Sequence, residues 1–264
     1  MSTTTPTSAE HNGHAWGLRA RDWSETESQM RPSYELAIKR AGLRAGQTVL
    51  DAGCGSGAFL RAAADHGAVV SGIDASEALL AIARERVPDA DLSLGDLQHL
   101  PYADDSFDAV TGFCSFFFAD DMIEALREAG RVAKPGAPVV VQVWGRPERF
   151  DLGMMKAVLA RFRPPPPADR LDPSTLWRPG VLEDLAVQAG LIPDAAFDDR
   201  FAYEYADEES MSRAMLSAGG FGAIVGDRQD EARQAVLEAL AVCRTPACGY
   251  RIENDWHFLI ARAA

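Results

Sequence analysis

Residues 49–57 constrain the fold of this chain more than any other stretch, because they read Val-Leu-Asp-Ala-Gly-Cys-Gly-Ser-Gly. Val49 and Leu50 suit a central parallel strand, which is buried on both faces. The glycines that follow allow positive φ angles and close approach of other groups to the backbone. The helix predicted over residues 58–66 begins with free N–H groups that face the turn. The run therefore predicts a strand, a tight turn and a helix that hold a polar small molecule.

Carboxylates near the ends of three predicted strands indicate which molecule this is. Asp51 lies just before the glycines, where it would repel a pyrophosphate but accept hydrogen bonds from an amino group. Asp74 ends the strand over 69–73 and can accept from ribose hydroxyls, and Asp96 follows the strand over 92–94 and can accept from an adenine amine. Each such hydrogen bond contributes about 1.5–3 kcal/mol. S-adenosylmethionine has these groups and no phosphate, although the glycines alone also fit a relaxed dinucleotide fingerprint.

In these positions the sequence resembles the class I S-adenosylmethionine-dependent methyltransferases, especially the small-molecule branch related to the quinone C-methyltransferases. The resemblance covers about residues 46–145, the predicted S-adenosylmethionine-binding core. It rests on five ordered blocks, at 50–57, 72–76, 95–102, 105–110 and 126–137. It implies an α/β, Rossmann-like fold: a mostly parallel seven-stranded sheet with an antiparallel last strand, helices on both faces and partly helical lid insertions. Tyr102 is one small departure, since many members carry Phe there.

The pattern of apolar runs and turns predicts the same alternation of strands and helices. Strands are expected near 48–51, 69–73, 92–94, 108–113, 138–144, 196–205 and 250–261, and core helices near 58–66, 76–86 and 121–133. Ligands of such sheets bind beyond the carboxyl ends of the parallel strands, which is where the three carboxylates fall.

The resemblance also implies roles for the residues that match the family's blocks. Asp74 would hold the ribose, and Asp96 and Leu97 the adenine. The glycine turn would hold the methionine end of the donor. The predicted cofactor-binding residues are Asp51, Gly53, Cys54, Gly55, Asp74, Ala75, Gly95, Asp96, Leu97 and Phe113.

The formal net charge of −13 argues against a nucleic-acid partner and an anionic membrane surface, because both would repel this chain. The four cysteines form no C-x-x-C pair and lie near no histidine cluster, so we expect reduced thiols and no metal site. No apolar run approaches the length of a membrane span, and the first residues lack a secretion signal. We expect a cytoplasmic protein of small-molecule metabolism, as a monomer or homodimer.

The regions outside the core are less regular. Residues 1–13 are rich in Thr and Ser and are expected to be a disordered tail. Residues 14–45 are expected to form a helical segment that covers the cofactor, or to pack on the sheet through their tryptophans. Residues 146–264 complete the core and carry insertions near 146–178 and 207–248. We interpret these insertions as a lid over the acceptor site, and a dimer contact is the alternative.

Aromatic side chains near predicted strand ends and in the lid suggest an apolar or aromatic acceptor slot. The candidate substrate-binding residues are Trp16, Phe117, Trp144, Trp177 and Phe221. Rings of this kind also offer a face to a sulfonium cation. The alternative is that many of them only seal the core.

Methyl transfer is an in-line displacement, and positioning of the reactants can supply roughly 7–11 kcal/mol of the barrier. A phenol, enol or carbon acceptor also needs a general base, for which His257 and Tyr250 are the candidates. His257 could instead face the core or solvent. We therefore expect a methyltransferase that acts on a small, aromatic or polycyclic metabolite. The alternatives are an enzyme of the same fold that catalyses a non-methylating reaction such as cyclisation, a non-catalytic binding protein, and an NAD oxidoreductase.

Overall fold

One seven-stranded sheet organises the molecule, in a computed structural model that describes residues 7–162 and 171–264. Its strands are β1 (Thr48–Ala52), β2 (Val69–Asp74), β3 (Asp91–Leu94), β4 (Ala109–Phe113), β5 (Pro138–Trp144), β6 (Ile192–Tyr205) and β7 (Tyr250–Arg262). Their spatial order is β3-β2-β1-β4-β5-β7-β6. β7 pairs antiparallel with both β5 and β6, and the other pairs are parallel. The predicted fold class is confirmed.

Helices surround this sheet. They are α1 (Ser8–Gly17), α2 (Ala20–Ser28), α3 (Arg31–Ala41), α4 (Ala58–Asp65), α5 (Glu77–Arg86), α6 (Met122–Val132), α7 (Met154–Leu159), α8 (Val181–Gln188), α9 (Glu208–Ser217), α10 (Phe221–Val225) and α11 (Gln229–Ala239). Asp121 caps α6 by accepting hydrogen bonds from the backbone N–H groups of Ile123 and Glu124. The three predicted core helices agree with α4, α5 and α6 within a residue or two.

Alternating side chains of the strands form two separate hydrophobic layers, one on each face of the sheet. The front face carries α3 and α4, with Phe59 and Phe258 fully buried in its core. The back face carries α6 and α8, with Leu126 and Leu182 fully buried. A parallel sheet covered on both faces needs apolar residues at successive positions, which explains the Val-rich sequence of β5.

The expectation of a disordered tail is wrong over residues 8–13, which form the first part of α1. Thr7 and Glu10 make a capping box, in which each side chain accepts a hydrogen bond from the other's backbone N–H. Tertiary contacts also hold this helix, since the Asn12 amide donates to the Phe118 carbonyl at 3.0 Å. The rest of the expected tail, residues 1–6, lies outside the described residues.

The second insertion, near 207–248, is helical and contains α9, α10 and α11, which pack on the front-face core. Arg213 of α9 pairs with Asp22 and Glu25 of α2 at 3.3 and 3.2 Å. The first insertion contains α7 and 3-10 turns. Its proline run, for which the sequence predicts an extended spacer, lies outside the described residues. Within the described ranges, no helix has both the length and the apolar character required to span a bilayer.

Candidate active site

The glycine turn after β1 has the geometry that its sequence predicts. Gly53, Gly55 and Gly57 all have positive φ angles, of 82°, 53° and 79°. A side chain at Gly53 would also collide with Ser115, and a Cβ at Gly55 would lie 3.0 Å from the Glu27 carboxylate. The turn therefore requires glycine both for its backbone conformation and for the space around it.

Asp74 fastens this turn to the end of β2. Its carboxylate accepts a hydrogen bond from the Gly55 N–H at 2.9 Å and another from the Ser76 N–H at 2.8 Å. Burial raises the pKa of Asp74, and the two backbone donors oppose that rise. Each carboxylate oxygen has a further lone pair, so Asp74 can also accept from a ligand hydroxyl.

The end of β3 lies beside Asp74, as the predicted adenine site requires. The Gly95 N–H donates to the Asp74 carbonyl at 3.0 Å, and Leu94 of β3 is in register with Asp74. Asp96 and Leu97 follow and are half-buried. The Asp96 carboxylate accepts from the Gln98 N–H at 2.9 Å. The structure thus brings the predicted ribose and adenine residues together at one sheet edge.

Asp51 is the most unusual carboxylate of the site. It is 2% exposed and accepts a hydrogen bond from the Thr111 hydroxyl at 2.7 Å. Burial, together with the negative charges of Glu27 and Asp74, raises the pKa of Asp51 to about 8. Among the described residues no basic side chain forms a salt bridge with Asp51. A buried carboxylate without a cationic partner is costly to ionise, and a positive charge beside it would lower that cost.

Glu27 of α2 is a site residue that sequence reasoning missed. Its carboxylate is 5% exposed and accepts hydrogen bonds from the Ser56 N–H at 2.9 Å and the Ser56 hydroxyl at 2.5 Å. It comes from a segment predicted only to cover the cofactor. The one signal in the sequence that Glu27 faces inward is that it follows Trp23 by four residues, which places both side chains on the same side of a helix.

Helix α1 lies against the loop that follows β2. A side chain at Gly13 would collide with the Ala75 carbonyl, so the two backbones are in close contact. Beside this contact is a cavity of about 410 Å³, lined by Gly13, Gly17, Ala75 and Leu94 among others. Ala75, a predicted cofactor residue, therefore faces both α1 and this cavity. Whether α1 and α2 cover a bound cofactor remains a prediction.

The predicted aromatic residues divide between several places. Phe113 ends β4 on the front face and packs against Tyr34 at 4.7 Å between ring centroids. Phe117 and Trp144 lie 5.2 Å apart at the ends of β4 and β5, so the structure brings these two together. Trp16 packs instead on Trp23 at 4.7 Å, between α1 and α2.

Trp177 and Phe221 lie apart from that pair. Trp177 is next to Leu176, which is buried in the back-face core, and the Arg146 guanidinium lies 5.8 Å from its ring centroid. Phe221 begins α10, is buried, and packs 6.3 Å from Phe162. The five predicted substrate residues therefore do not form one continuous surface.

The two candidate bases are also separated. His257 is 7% exposed and shares the back face with Leu259, whereas Asp51 lies on the front. Its Nδ1 lies 2.7 Å from the Asp198 carboxylate, and its buried Nε2 has no hydrogen-bond partner among the described residues. Tyr250 is buried in the front-face core, which it shares with residues of α9 and α11, and its hydroxyl accepts from Arg244 at 2.9 Å.

The chain thus has a Rossmann-like sheet with a glycine turn after β1 and the buried carboxylates of Asp51 and Glu27 beside that turn. Residues 50–141 match the family described as a methyltransferase domain. A demethylmenaquinone methyltransferase from Renibacterium salmoninarum is 38% identical over 119 residues, which are 45% of this chain and 50% of that protein. A dTDP-4-amino-2,3,4,6-tetradeoxy-D-glucose N,N-dimethyltransferase from Saccharopolyspora spinosa is 30% identical over 147 residues, 54% of this chain and 56% of that protein. The chain spans about half the length of the curated relatives it matches.

Solved structures agree on the fold. The [4+2]-cyclase SpnF superposes with a TM-score of 0.63 and 21% identity, covering 99% of this chain and 98% of that one. The YcgJ protein of Bacillus subtilis gives 0.56 and 20% identity, covering 87% and 97%. The predicted resemblance to the class I S-adenosylmethionine-dependent methyltransferases is therefore confirmed over residues 50–141, which match the methyltransferase-domain family, and the solved structures add the fold alone.

Proposed function

We propose that this protein transfers a methyl group from S-adenosylmethionine to a small molecule. The observation that carries the proposal is Asp51, a buried carboxylate without a basic partner among the described residues, placed directly before the glycine turn of a methyltransferase domain. With a pKa of about 8, Asp51 is mostly protonated at neutral pH; a pyrophosphate would oppose its ionisation further, whereas the ammonium group of the donor would favour the ionised form and pair with it. The names of the relatives support a small acceptor, since one acts on demethylmenaquinone and another on an amino sugar.

The residues present fit such a donor. The turn at Gly53 and Gly55 leaves room that a Cβ would fill, and Asp74 retains acceptor capacity toward a ribose. Asp96 and Leu97 would contact adenine, and Cys54 the methionine end. The donor supplies an activated methyl group on sulfur. The protein's own part is then to orient the acceptor and to exclude water.

We propose that the acceptor lies against Phe117 and Trp144, beyond the ends of β4 and β5. Flat aromatic rings favour an apolar or aromatic acceptor. Trp16, Trp177 and Phe221 would act from the edges of the site or in the lid. We likewise propose that the segments near 146–178 and 207–248 form an acceptor lid.

A base is required only if the acceptor must lose a proton before or during transfer. His257 has the features of a general base. The Asp198 carboxylate can accept a hydrogen bond from its Nδ1–H, which leaves Nε2 able to accept a proton. Its position on the back face means that an acceptor would have to reach past β5 to contact it. Tyr250 is the second proposal. Loss of kcat in His257→Gln and Tyr250→Phe, with removal of a limb of the pH profile, would assign the role.

We further propose a cytoplasmic enzyme of small-molecule metabolism that works as a monomer or homodimer. The four cysteines are unpaired, which is typical of a reducing compartment.

The direct test is formation of S-adenosylhomocysteine when the purified protein is given S-adenosylmethionine and candidate quinols, phenols and amines. Calorimetry with Asp74→Asn should show S-adenosylhomocysteine binding weakened by about 1.5–3 kcal/mol, the size of a hydrogen bond to a charged group. Asp89→Asn, at an exposed position, is the matched control. Tight binding without formation of this product from any acceptor would favour a non-methylating enzyme, such as a cyclase, or a binding protein. Absence of binding would refute the proposal.

A further inference from the structure

Glu27 is a buried carboxylate placed directly over the glycine turn. A Cβ at Gly55 would lie only 3.0 and 3.1 Å from its two oxygens. Both of the carboxylate's hydrogen bonds are to Ser56. Burial raises the pKa of Glu27, while Ser56 and the nearby Arg86 charge favour its ionised form. An ionised carboxylate held in this way has further lone pairs that can accept hydrogen bonds from a ligand.

Arg86 holds α2 in this position. One guanidinium nitrogen donates to the Ser56 hydroxyl at 2.8 Å. The other donates to the Ser24 carbonyl at 3.3 Å and the Ser28 hydroxyl at 3.1 Å. Both serines belong to α2, three residues before and one residue after Glu27, so the end of α5 fixes this helix against the turn. The location of Glu27 is thus built into the core and does not depend on the lid helices alone.

Glu27 and Asp51 both lie at the turn, one brought there by α2, with its carboxylate beside Gly55, and the other by β1. The negative charge of Glu27 is near enough to disfavour ionisation of Asp51. Arg86 donates to Ser56 and offsets the charge of Glu27 from that side only. Among the described residues, the Asp51 carboxylate accepts a side-chain hydrogen bond only from the Thr111 hydroxyl. A cation bound between the two carboxylates would relieve this repulsion.

We propose that Glu27 and Asp51 together bind the ammonium group of the donor, so that α2 supplies one wall of the donor site. This inference rests on the proposed function, because it concerns the same ligand. The turn is expected to hold the methionine end of the donor, and the ammonium is the cationic group of that end which donor and product share. The N-terminal segment then recognises the ligand directly and is more than a cover.

Three ligands separate the groups of the donor. S-adenosylhomocysteine carries the ammonium and the carboxylate, its decarboxylated analogue carries only the ammonium, and 5′-methylthioadenosine carries neither. In Glu27→Gln, calorimetry should show the first two binding about 10-fold to 100-fold more weakly, as expected for loss of a charged hydrogen bond. Binding of 5′-methylthioadenosine should stay within about twofold of wild type, because the nucleoside site is unchanged. Glu25→Gln, two residues earlier on α2 and paired with Arg213 of the lid, should change none of the three affinities.

Two results would overturn the inference. An equal loss for all three ligands would mean that Glu27 only supports the turn. Tighter binding of S-adenosylhomocysteine alone would mean that Glu27 competes with the ligand carboxylate at Ser56. If Glu27→Gln does not fold, the test uses the wild type and Glu27→Asp. The wild type must bind the decarboxylated analogue about tenfold or more tightly than 5′-methylthioadenosine, and Glu27→Asp must reduce that ratio of affinities. A wild-type protein that binds the three ligands with equal affinity refutes this inference alone, and one that binds none of them refutes the proposed function.

Discussion

Ligand binding at Asp51 should release protons, and the amount can be worked out from the site. With a pKa of about 8, Asp51 is about 97% protonated at pH 6.5 in the free protein. A cation within a few ångströms lowers a carboxyl pKa by about 1–3 units, which would bring Asp51 to between about 5 and 7 in the complex. Between about 0.2 and 0.9 of a proton should therefore leave Asp51 for each molecule of S-adenosylhomocysteine bound at pH 6.5.

Calorimetry measures this release. The observed binding enthalpy is recorded at pH 6.5 in buffers of different ionisation enthalpy, and the slope of the plot gives the number of protons exchanged. The free α-amino group of the ligand stays almost fully protonated at this pH, since even the less basic α-amino group of a peptide has a pKa of about 7.7–8.0. Asp51→Asn should abolish the part of the release that comes from this carboxyl. A wild-type slope of zero, or uptake of protons, would refute the reasoning that Asp51 faces a cationic ligand.

Three further results are expected. Gly55→Val should abolish S-adenosylhomocysteine binding in calorimetry, because φ is 53° and a Cβ would lie 3.0 Å from Glu27; retained binding would move the ligand elsewhere. The unfolding free energy of the ligand-free protein, measured in urea, should include a contribution from Asp51 that decreases between about pH 4 and pH 8. The reason is that the Asp51 carboxyl holds its proton more tightly in the folded state than in the unfolded chain. Asp51→Asn should make this decrease smaller. His257→Gln should leave S-adenosylhomocysteine affinity unchanged, since the ring lies on the back face; a tenfold loss, on the order of 1.4 kcal/mol, would contradict this placement.

The glycine turn and the positions of Asp51 and Asp74 beside it could be predicted from the sequence because local patterns determine them. An apolar strand that runs into glycines allows one arrangement of turn and helix, and Asp51 and Asp74 are fixed by their place in the strands. Parallel pairing then brings the ends of β1 and β2 to one edge. Each of these steps uses neighbours within a few residues, where sequence is most informative.

The rest depended on packing between distant parts of the chain. Glu27 reaches Ser56 across 29 positions, and nothing local indicates that contact. For His257, strand alternation leaves two possible faces, and only the register with β5 decides between them. The helix at residues 8–13 is different, because Thr7 and Glu10 have the spacing of a capping box and could have been recognised.

The arrangement of charges suggests a division of labour within the site. If Asp51, Asp74 and Asp96 contact groups that donor and product share, as we propose, they bind both molecules about equally. Uniform binding of this kind lowers the KM for the donor but does not raise kcat. The difference between ground state and transition state must then come from residues that align the acceptor with the methyl group. We propose that the aromatic pair Phe117 and Trp144, whose ring centroids lie 5.2 Å apart where β4 and β5 end, does so.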